Sequence, residues 1–141
     1  MSKAESQTLT PPAAIKVFIV DDHPVVRDGL KNMLLVFDDL ELVGEATDGS
    51  QALTRCQHIK PDVILMDMSM PKMDGITAAR VIMEHCPQIK IIMLTSFVED
   101  HEVQRALEAG AVGYLMKNVA IRTLAEAIRA AHAGQPVLSP E

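Results

Sequence analysis

Aromatic residues are scarce in this sequence, which has no Trp, one Tyr and three Phe. This scarcity argues against a protein that works by stacking exposed rings on nucleobases. A basic surface is missing as well, because the net charge is -6 and the sequence pI is about 5.3. Any contact with DNA is therefore predicted to need a further domain.

Cysteine is also rare, and the two present, Cys56 and Cys86, fit no paired metal or redox motif. The sequence shows no secretory signal and no apolar run long enough to cross a bilayer. It therefore predicts a protein of the reducing cytoplasm without membrane contact. No zinc-binding spacing is found either, so we interpret all the histidines as ordinary surface residues: His23, His58, His85, His101 and His132.

The apolar residues that are present form short runs alternating with helical stripes. This pattern repeats five times, which predicts an α/β fold with a parallel sheet covered by helices on both faces. The predicted strands are residues 16–20, 40–47, 63–66, 89–94 and 112–116. A length of 141 residues fits one domain with a substantial core.

The strand at residues 63–66 ends abruptly in Asp67 and is followed by residues that favour a loop, Pro71, Asp74 and Gly75. Ligands of parallel α/β sheets bind where the carboxyl ends of the strands open into loops. An Asp at such a point also commonly caps the following turn. For Asp67 alone, the chemical and the structural interpretations are evenly matched.

Other polar residues stand at the ends of other predicted strands: Asp21, Asp22, Thr95 and Lys117. The carboxyl ends of parallel strands share one edge of the sheet, so we expect these side chains to meet Asp67 there. Two carboxylates about 5 Å apart repel by roughly 3 kcal/mol at an effective dielectric of 20. A hard divalent cation such as Mg²⁺ relieves this repulsion and commonly joins carboxylates to a phosphate. The set therefore indicates a phosphoryl-transfer site with a carboxylate nucleophile.

The motifs that carry these residues resemble the receiver domain of two-component response regulators. They are VDD (20–22), LMDMSMPKMDG (65–75), LTS (94–96) and GAVGYLMK (110–117), each at the end of a different predicted strand. The resemblance covers residues 15 to 133. It implies a flavodoxin-like (CheY-like) fold with five helices and a five-stranded parallel sheet of order 2-1-3-4-5.

The resemblance also implies roles for the acidic residues. Asp67 accepts a phosphoryl group from the phosphohistidine of a sensor histidine kinase. Asp22 is a direct ligand of Mg²⁺, Asp21 acts largely through water, and the backbone carbonyl of Ser69 joins the metal shell. Lys117 contacts the phosphoryl group.

Further positions match the residues that respond to the phosphoryl group. Thr95 and Tyr114 match the switch pair, in which the hydroxyl moves toward the phosphate and the aromatic ring turns inward; a Tyr on a strand is otherwise usually half-buried packing. Ser69 and Phe97 match positions that tune dephosphorylation. Because neither side chain is suited to orienting a water molecule, we expect slow autodephosphorylation.

One departure from the family's pattern follows Lys117. The family often has Pro at this position with a cis peptide bond, whereas this sequence has Asn118. A cis bond before a residue other than Pro costs about 3 kcal/mol. The sequence leaves the geometry of this bond open.

A narrower resemblance, through DDHPVVRDGL (21–30), LTSF (94–97), GYLMKN (113–118) and AGQPVLSPE (133–141), is to receivers of LuxR-type (NarL/FixJ-like) transcription regulators. We therefore expect a disordered tail or cloning remnant at 1–14, a receiver domain at 15–134, and at 135–141 the start of a linker to a helix-turn-helix DNA-binding domain that is missing here. Phosphorylation is expected to shift the region formed by the fourth helix, the fifth strand and the fifth helix. This shift is expected to favour a homodimer or to release the DNA-binding domain.

Three alternatives remain. A phosphatase of the haloacid-dehalogenase type would use an aspartyl-phosphate too, but it requires a second Asp where this sequence has Ser69. A single-domain adaptor would signal by docking alone. A receiver that no longer accepts phosphate is disfavoured because every acidic position is filled. We expect no enzymatic activity beyond transfer of a phosphoryl group to Asp67 and its slow loss.

Overall fold

The fold is described by a computed structural model that covers residues 13–70, 72–96 and 99–137. Its strands are β1 (Ile15–Val20), β2 (Leu40–Ala46), β3 (Val63–Asp67), β4 (Lys90–Thr95) and β5 (Gly113–Met116). Its helices are α1 (Pro24–Leu35), α2 (Gly49–Ile59), α3 (Gly75–His85), α4 (Asp100–Glu108) and α5 (Ile121–His132). Among the described residues, no helix combines the length and the hydrophobicity needed to cross a membrane.

The five strands form one parallel sheet with the order β2-β1-β3-β4-β5. Helices cover both faces. One core cluster joins the sheet to α2, α3 and α4, and the other joins it to α1 and α5. The predicted flavodoxin-like fold with the order 2-1-3-4-5 is therefore confirmed.

The central strand β3 is fully buried, and its alternate side chains enter the two cores. Ile64 and Met66 pack toward α2 and α3, whereas Val63 and Leu65 pack toward α1 and α5. Burying each such side chain stabilises the fold by about 1.5–3 kcal/mol. This packing on both faces fixes the direction and register of the strand that ends in Asp67.

The sequence of residues 40–47 alternates as in a half-exposed edge strand, which predicts that Leu40, Leu42, Gly44 and Ala46 share one face. Strand β2 does lie at the edge of the sheet, but the predicted alternation is wrong. Leu42 pairs with Val17, and Gly44, two residues further on, pairs with the next residue, Phe18. This bulge moves the end of β2 onto the opposite face of the sheet. As a result Leu42 joins the α1–α5 core and Ala46 joins the α2–α3 core, although the pattern placed both on one face.

Local chemistry accounts for most helix starts. Pro24 occupies the first turn of α1, where its missing N–H is not needed. The carboxylates of Asp48 and Asp74 accept hydrogen bonds from backbone N–H groups at the starts of α2 and α3, with distances of 2.9 and 2.8 Å. Asn118 is of a residue type that often caps helices, and the sequence predicts this role for it, but α5 begins later and Ala120 stands at its N-cap position.

The chain after α5 contacts the free edge of β5. The Tyr114 N–H donates to the Val137 carbonyl at 3.0 Å, and the Val137 N–H donates to the Val112 carbonyl at 2.9 Å. Val137 is also buried, with 5% exposure. These contacts therefore continue to Val137, three residues beyond the predicted end of the receiver domain at residue 134. Residues 1–12 and 138–141 of the predicted tail and linker lie outside the described residues.

Replacing Gly113 with Ala is expected to destabilise the fold by about 3.5–5 kcal/mol. A Cβ atom at this position would lie 1.3 Å from the Val137 carbonyl oxygen, so residues 135–137 would leave β5. The change would remove two backbone hydrogen bonds, each contributing about 1 kcal/mol, and the burial of one Val side chain. Urea denaturation measures the effect.

The matched control for this change is Gly29→Ala. Gly29 lies within α1, and a Cβ there would meet nothing within 4 Å. Ala is favoured over Gly in a helix by about 1 kcal/mol, so this variant should be more stable than wild type. A Gly113→Ala protein as stable as the Gly29→Ala protein would contradict the account of the Val137 contact.

Candidate functional site

The predicted site residues meet at the carboxyl edge of the sheet. Asp67 ends β3 and Thr95 ends β4, while Asp21 and Asp22 follow β1 and Lys117 follows β5. Strand register fixes their relative heights, since Asp67 pairs with Leu94 and Thr95 pairs with Met116. The sheet thus places carboxylates, a hydroxyl and an ammonium along one edge, as the sequence predicts.

Lys117 forms ion pairs with two of the carboxylates. Its Nζ lies 3.0 Å from Asp67 Oδ1 and 3.3 Å from Asp21 Oδ2. Both carboxylates are buried, whereas the lysine side chain retains 14% exposure. Its backbone N–H donates to the Thr95 carbonyl at 2.8 Å, which anchors the residue beside β4. The Lys117–Asn118 peptide bond is trans, which answers the question left open by the sequence.

The carboxylates are not fully partnered by the residues around them. Within the described residues, three buried carboxylate oxygens accept no hydrogen bond: Asp21 Oδ2, Asp22 Oδ1 and Asp67 Oδ2. Buried carboxylates that lack partners are costly unless a cation pairs with them. Oxygen donors of this kind are the ligands that Mg²⁺ prefers. The donor set therefore fits a hard divalent cation.

Burial has a measurable consequence for Asp67. The pKa of the Asp67 carboxyl is raised from 3.8 to about 6, chiefly by burial and to a smaller extent by the charge of Asp21. The hydrogen bonds from Lys117 and from the Ser69 N–H act in the opposite direction. For Lys117, burial lowers the pKa, but the hydrogen bond and charge of Asp67 outweigh this and raise it above 10.5. Near neutral pH the pair is a carboxylate beside an ammonium.

The loop after β3 is held close to Asp67. The Ser69 N–H donates to Asp67 Oδ1 at 3.2 Å, and the Gly75 N–H donates to the Met68 carbonyl at 3.0 Å. A Cβ at Gly75 would lie 2.1 Å from the Asp67 carbonyl oxygen, so only Gly permits this approach of α3. Asp74 and Gly75 thus form the turn into α3 that the sequence predicts.

The loop that carries Asp21 and Asp22 is also fixed. An Arg27 guanidinium N–H donates to the Asp21 carbonyl at 2.7 Å, and the Arg27 Nε donates to Glu45 at 3.1 Å. Arg27 lies on α1 and Glu45 on β2, so the contact ties the acidic loop to both elements. The prediction from sequence did not include Arg27, since its role depends on a tertiary contact.

His23 is the residue whose interpretation needs correction. Although its side chain is 58% exposed, Nδ1 lies 2.9 Å from Asp21 Oδ1, 3.2 Å from Asp22 Oδ1 and 3.9 Å from Asp67 Oδ2. The ring is therefore part of the acidic cluster and not an ordinary surface group. Adjacency to two acidic residues was the available signal, but sequence does not fix the direction of a side chain.

A cavity of about 360 Å³ opens above Asp67. Lys117, Thr95 and Ser69 line it, which brings these predicted residues together. Glu99 and Glu102, at the start of α4, also line it and were not predicted.

Of the remaining predicted residues, the structure describes Tyr114 of the switch pair but not Phe97. Tyr114 is half-buried and packs against the α2–α3 core, on the same face of the sheet as Thr95, since Tyr114 pairs with Met93 two residues earlier in β4. Phe97, predicted to tune dephosphorylation, lies outside the described residues.

This geometry defines a class of protein: a doubly wound α/β domain with a lysine-paired carboxylate in an acidic cluster at the carboxyl edge of its sheet. Residues 17–129 match the family described as response regulator receiver domain. The chain belongs to this family of two-component response regulators, and its relatives are of the LuxR type.

Curated relatives include the response regulator protein VraR of Staphylococcus epidermidis, 46% identical over 128 residues, and VraR of Staphylococcus aureus, 46% identical over 127 residues. These alignments cover 91% and 90% of this chain but 61% of each relative. The chain thus spans about three-fifths of the length of the curated relatives it matches.

Solved structures are similar over most of the chain. A LuxR-family response regulator from Aurantimonas matches with a TM-score of 0.86 and 32% identity, covering 91% of both chains. The receiver domain of NarL from Mycobacterium tuberculosis matches with a TM-score of 0.84 and 31% identity, covering 88% of this chain and all of that one. The isolated receiver domain of RcsB from Salmonella, solved with the phosphomimetic BeF3-, matches with a TM-score of 0.81 and 30% identity, covering 91% and 94% of the two chains.

Proposed function

We propose that Asp67 accepts a phosphoryl group from the phosphohistidine of a sensor histidine kinase and that its phosphorylation switches the domain between two states. The observation that carries the proposal is the buried Asp67 carboxylate, which is paired with Lys117 at 3.0 Å and opens into the cavity. The similarity to a receiver solved with BeF3- supports the same chemistry.

The transfer step needs an ionised Asp67. A carboxylate oxygen attacks phosphorus, the new O–P bond forms as the P–N bond to the kinase histidine breaks, and the electron pair of that bond remains on the imidazole nitrogen. The Lys117 ammonium lies beside the attacking group and stabilises the negative charge on the phosphoryl oxygens. The Thr95 hydroxyl, at the wall of the cavity, is placed to bind an oxygen of the product.

Mg²⁺ is the cation that we propose for this site. Asp22 would bind it directly, Asp21 largely through water, and Asp67 and the Ser69 carbonyl would complete the protein ligands. When bound, Mg²⁺ neutralises the carboxylates and the incoming phosphoryl oxygens. The buried oxygens of Asp21, Asp22 and Asp67 that accept no hydrogen bond support this assignment.

The response to phosphorylation is proposed to run through Thr95 and Tyr114. A phosphoryl group adds a charge of roughly -1.5 to -2 at pH 7, which attracts the Thr95 hydroxyl. Tyr114 shares a face of the sheet with Thr95 and is half-buried, and its ring would turn inward as the hydroxyl moves. The region α4-β5-α5 would then shift between two arrangements.

The output of the whole protein follows from the subclass. We propose that phosphorylation favours a homodimer or releases a C-terminal helix-turn-helix domain that binds DNA and regulates transcription. The length of the VraR relatives, of which this chain covers 61%, supports a further domain. The domain would catalyse only its own phosphorylation and dephosphorylation, and the cytoplasm remains the predicted compartment.

Incubation with Mg²⁺ and a small phosphodonor tests the proposal. Intact mass spectrometry should show the addition of one phosphoryl group to the wild type and none to Asp67→Asn, because the amide is not a nucleophile. Asp74→Asn is the matched control, since Asp74 lies on the same loop but caps α3; it should be modified like the wild type. Equal modification of wild type and Asp67→Asn would overturn the proposal.

Ser69→Asn is expected to accelerate loss of the phosphoryl group. Ser69 lines the cavity beside Asp67, and its short hydroxyl is poorly suited to orienting an attacking water, whereas an amide both donates and accepts hydrogen bonds. Phosphate release from the phosphorylated protein measures the rate. An unchanged rate would count against a role for Ser69 in dephosphorylation.

A further inference from the structure

The His23 imidazole occupies a position that the proposed function does not use. Its Nδ1 faces all three carboxylates, and the ligand atoms of Asp21, Asp22, His23 and Asp67 all lie within 4.8 Å of one another. The exposed fraction of its side chain, 58%, leaves the rest of the ring open to solvent. A nitrogen donor therefore lies near two carboxylate oxygens that accept no hydrogen bond, Asp22 Oδ1 and Asp67 Oδ2.

The spacing of these atoms suits coordination of a single ion. Neighbouring ligands of an octahedral ion with bonds of about 2.1 Å lie about 3 Å apart. His23 Nδ1 lies 3.2 Å from Asp22 Oδ1, which is close to the separation of adjacent ligands, and 3.9 Å from Asp67 Oδ2, which is between the separations of adjacent and opposite ligands.

The tautomer of His23 decides what Nδ1 can do. With the proton on Nδ1, the ring donates a hydrogen bond to Asp21 and fills an ordinary structural role. With the proton on Nε2, the Nδ1 lone pair faces carboxylate oxygens and can accept either a hydrogen bond from Lys117 Nζ, 3.5 Å away, or a bond to a metal ion. The change of tautomer moves one proton from Nδ1 to Nε2 through solvent and leaves the ring neutral.

We propose that His23 Nδ1 is a ligand of first-row transition ions such as Co²⁺ at the Asp67 site, which strengthens the binding of these ions there but not the binding of Mg²⁺. Mg²⁺ prefers oxygen ligands, whereas imidazole favours the later transition ions. The inference rests on the proposed cation site. It makes His23 a determinant of the affinity of the domain for transition ions.

Metal titrations of the unphosphorylated protein test this directly. Co²⁺ binding is followed by its visible absorption, and Mg²⁺ affinity is measured by calorimetry. His23→Ala should weaken Co²⁺ binding by about tenfold, the lower end of effects seen for groups that support a metal site, and leave Mg²⁺ binding unchanged. The Co²⁺ band should also move to lower energy as water replaces the imidazole.

Matched variants separate the outcomes. His58→Ala removes an exposed histidine of α2 and should leave the affinities for Co²⁺ and Mg²⁺ unchanged. Asp67→Asn should weaken the binding of both ions. Equal weakening of Co²⁺ and Mg²⁺ by His23→Ala, or no change in Co²⁺ binding, would overturn the inference. Failure of the wild type to bind either ion would overturn the proposed cation site as well. Phosphorylation of Asp67 is measured separately, by intact mass spectrometry.

Discussion

Asp67→Asn is expected to stabilise the metal-free protein by about 3 kcal/mol at neutral pH. Burial raises the pKa of Asp67 from 3.8 to about 6, so the fold disfavours the ionised form. A difference of about two pKa units corresponds to about 3 kcal/mol. The amide carries no charge and keeps an oxygen for the Ser69 N–H, so this penalty disappears.

The pH dependence has a defined sign. Because the folded-state pKa exceeds the ordinary value, the folded protein holds the Asp67 proton between pH 3.8 and about 6. The contribution of the Asp67 carboxyl to the free energy of unfolding is most favourable below pH 3.8, and this contribution is lost as the pH rises to about 6. The stability difference between Asp67→Asn and wild type should therefore grow over this window and remain constant above it.

Urea denaturation with a chelator, at several pH values, measures this difference. Asp74→Asn serves as the control, because Asp74 is exposed and should show no such growth. Addition of Mg²⁺ should stabilise the wild type and narrow its gap to Asp67→Asn, since the cation neutralises the carboxylate. A wild type as stable as Asp67→Asn without metal at pH 7 would contradict the account.

Lys117→Met is expected to destabilise the metal-free protein by about 3–5 kcal/mol, the usual cost of removing one partner of a buried ion pair. The ammonium is the neighbour of both Asp67, at 3.0 Å, and Asp21, at 3.3 Å. Met fills a similar volume but leaves the carboxylates facing one another. Thermal or urea unfolding in the presence of a chelator measures the loss.

A double-mutant cycle shows whether the loss arises from the pair. In the Asp67→Asn background, Lys117→Met should cost much less, because one of the two carboxylates is already neutral. Lys72→Met is the matched control: the Lys72 side chain is 77% exposed and its Nζ lies 3.9 Å from Asp48, so its removal should cost less than about 1 kcal/mol. The same cost for Lys117→Met in both backgrounds would contradict the assigned pairing.

Much of the fold could be predicted because its signals are local. The apolar runs that precede Asp67 and Lys117 indicate buried strands, and the carboxyl ends of parallel strands lie along one edge of the sheet. The sequence therefore predicts that Asp21, Asp67 and Lys117 meet at this edge.

What could not be predicted depends on tertiary contacts. The bulge in β2 has no signature in the sequence, since its pattern reads as plain alternation. The contact of Val137 with β5 depends on a small residue, Gly113, more than 20 positions earlier in the chain. The inward direction of the His23 ring is set by Asp21 and Asp22 in three dimensions, and a histidine beside two acids reads equally well as a surface residue.

The most direct test of the central claim is to locate the phosphoryl group on the protein after incubation with Mg²⁺ and a small phosphodonor. Borohydride reduces an aspartyl phosphate to homoserine, which peptide mass spectrometry assigns to one position. The account predicts homoserine at position 67 and nowhere else. Homoserine at position 21 or 22, or phosphate recovered on a serine, threonine or histidine with position 67 unmodified, would contradict it.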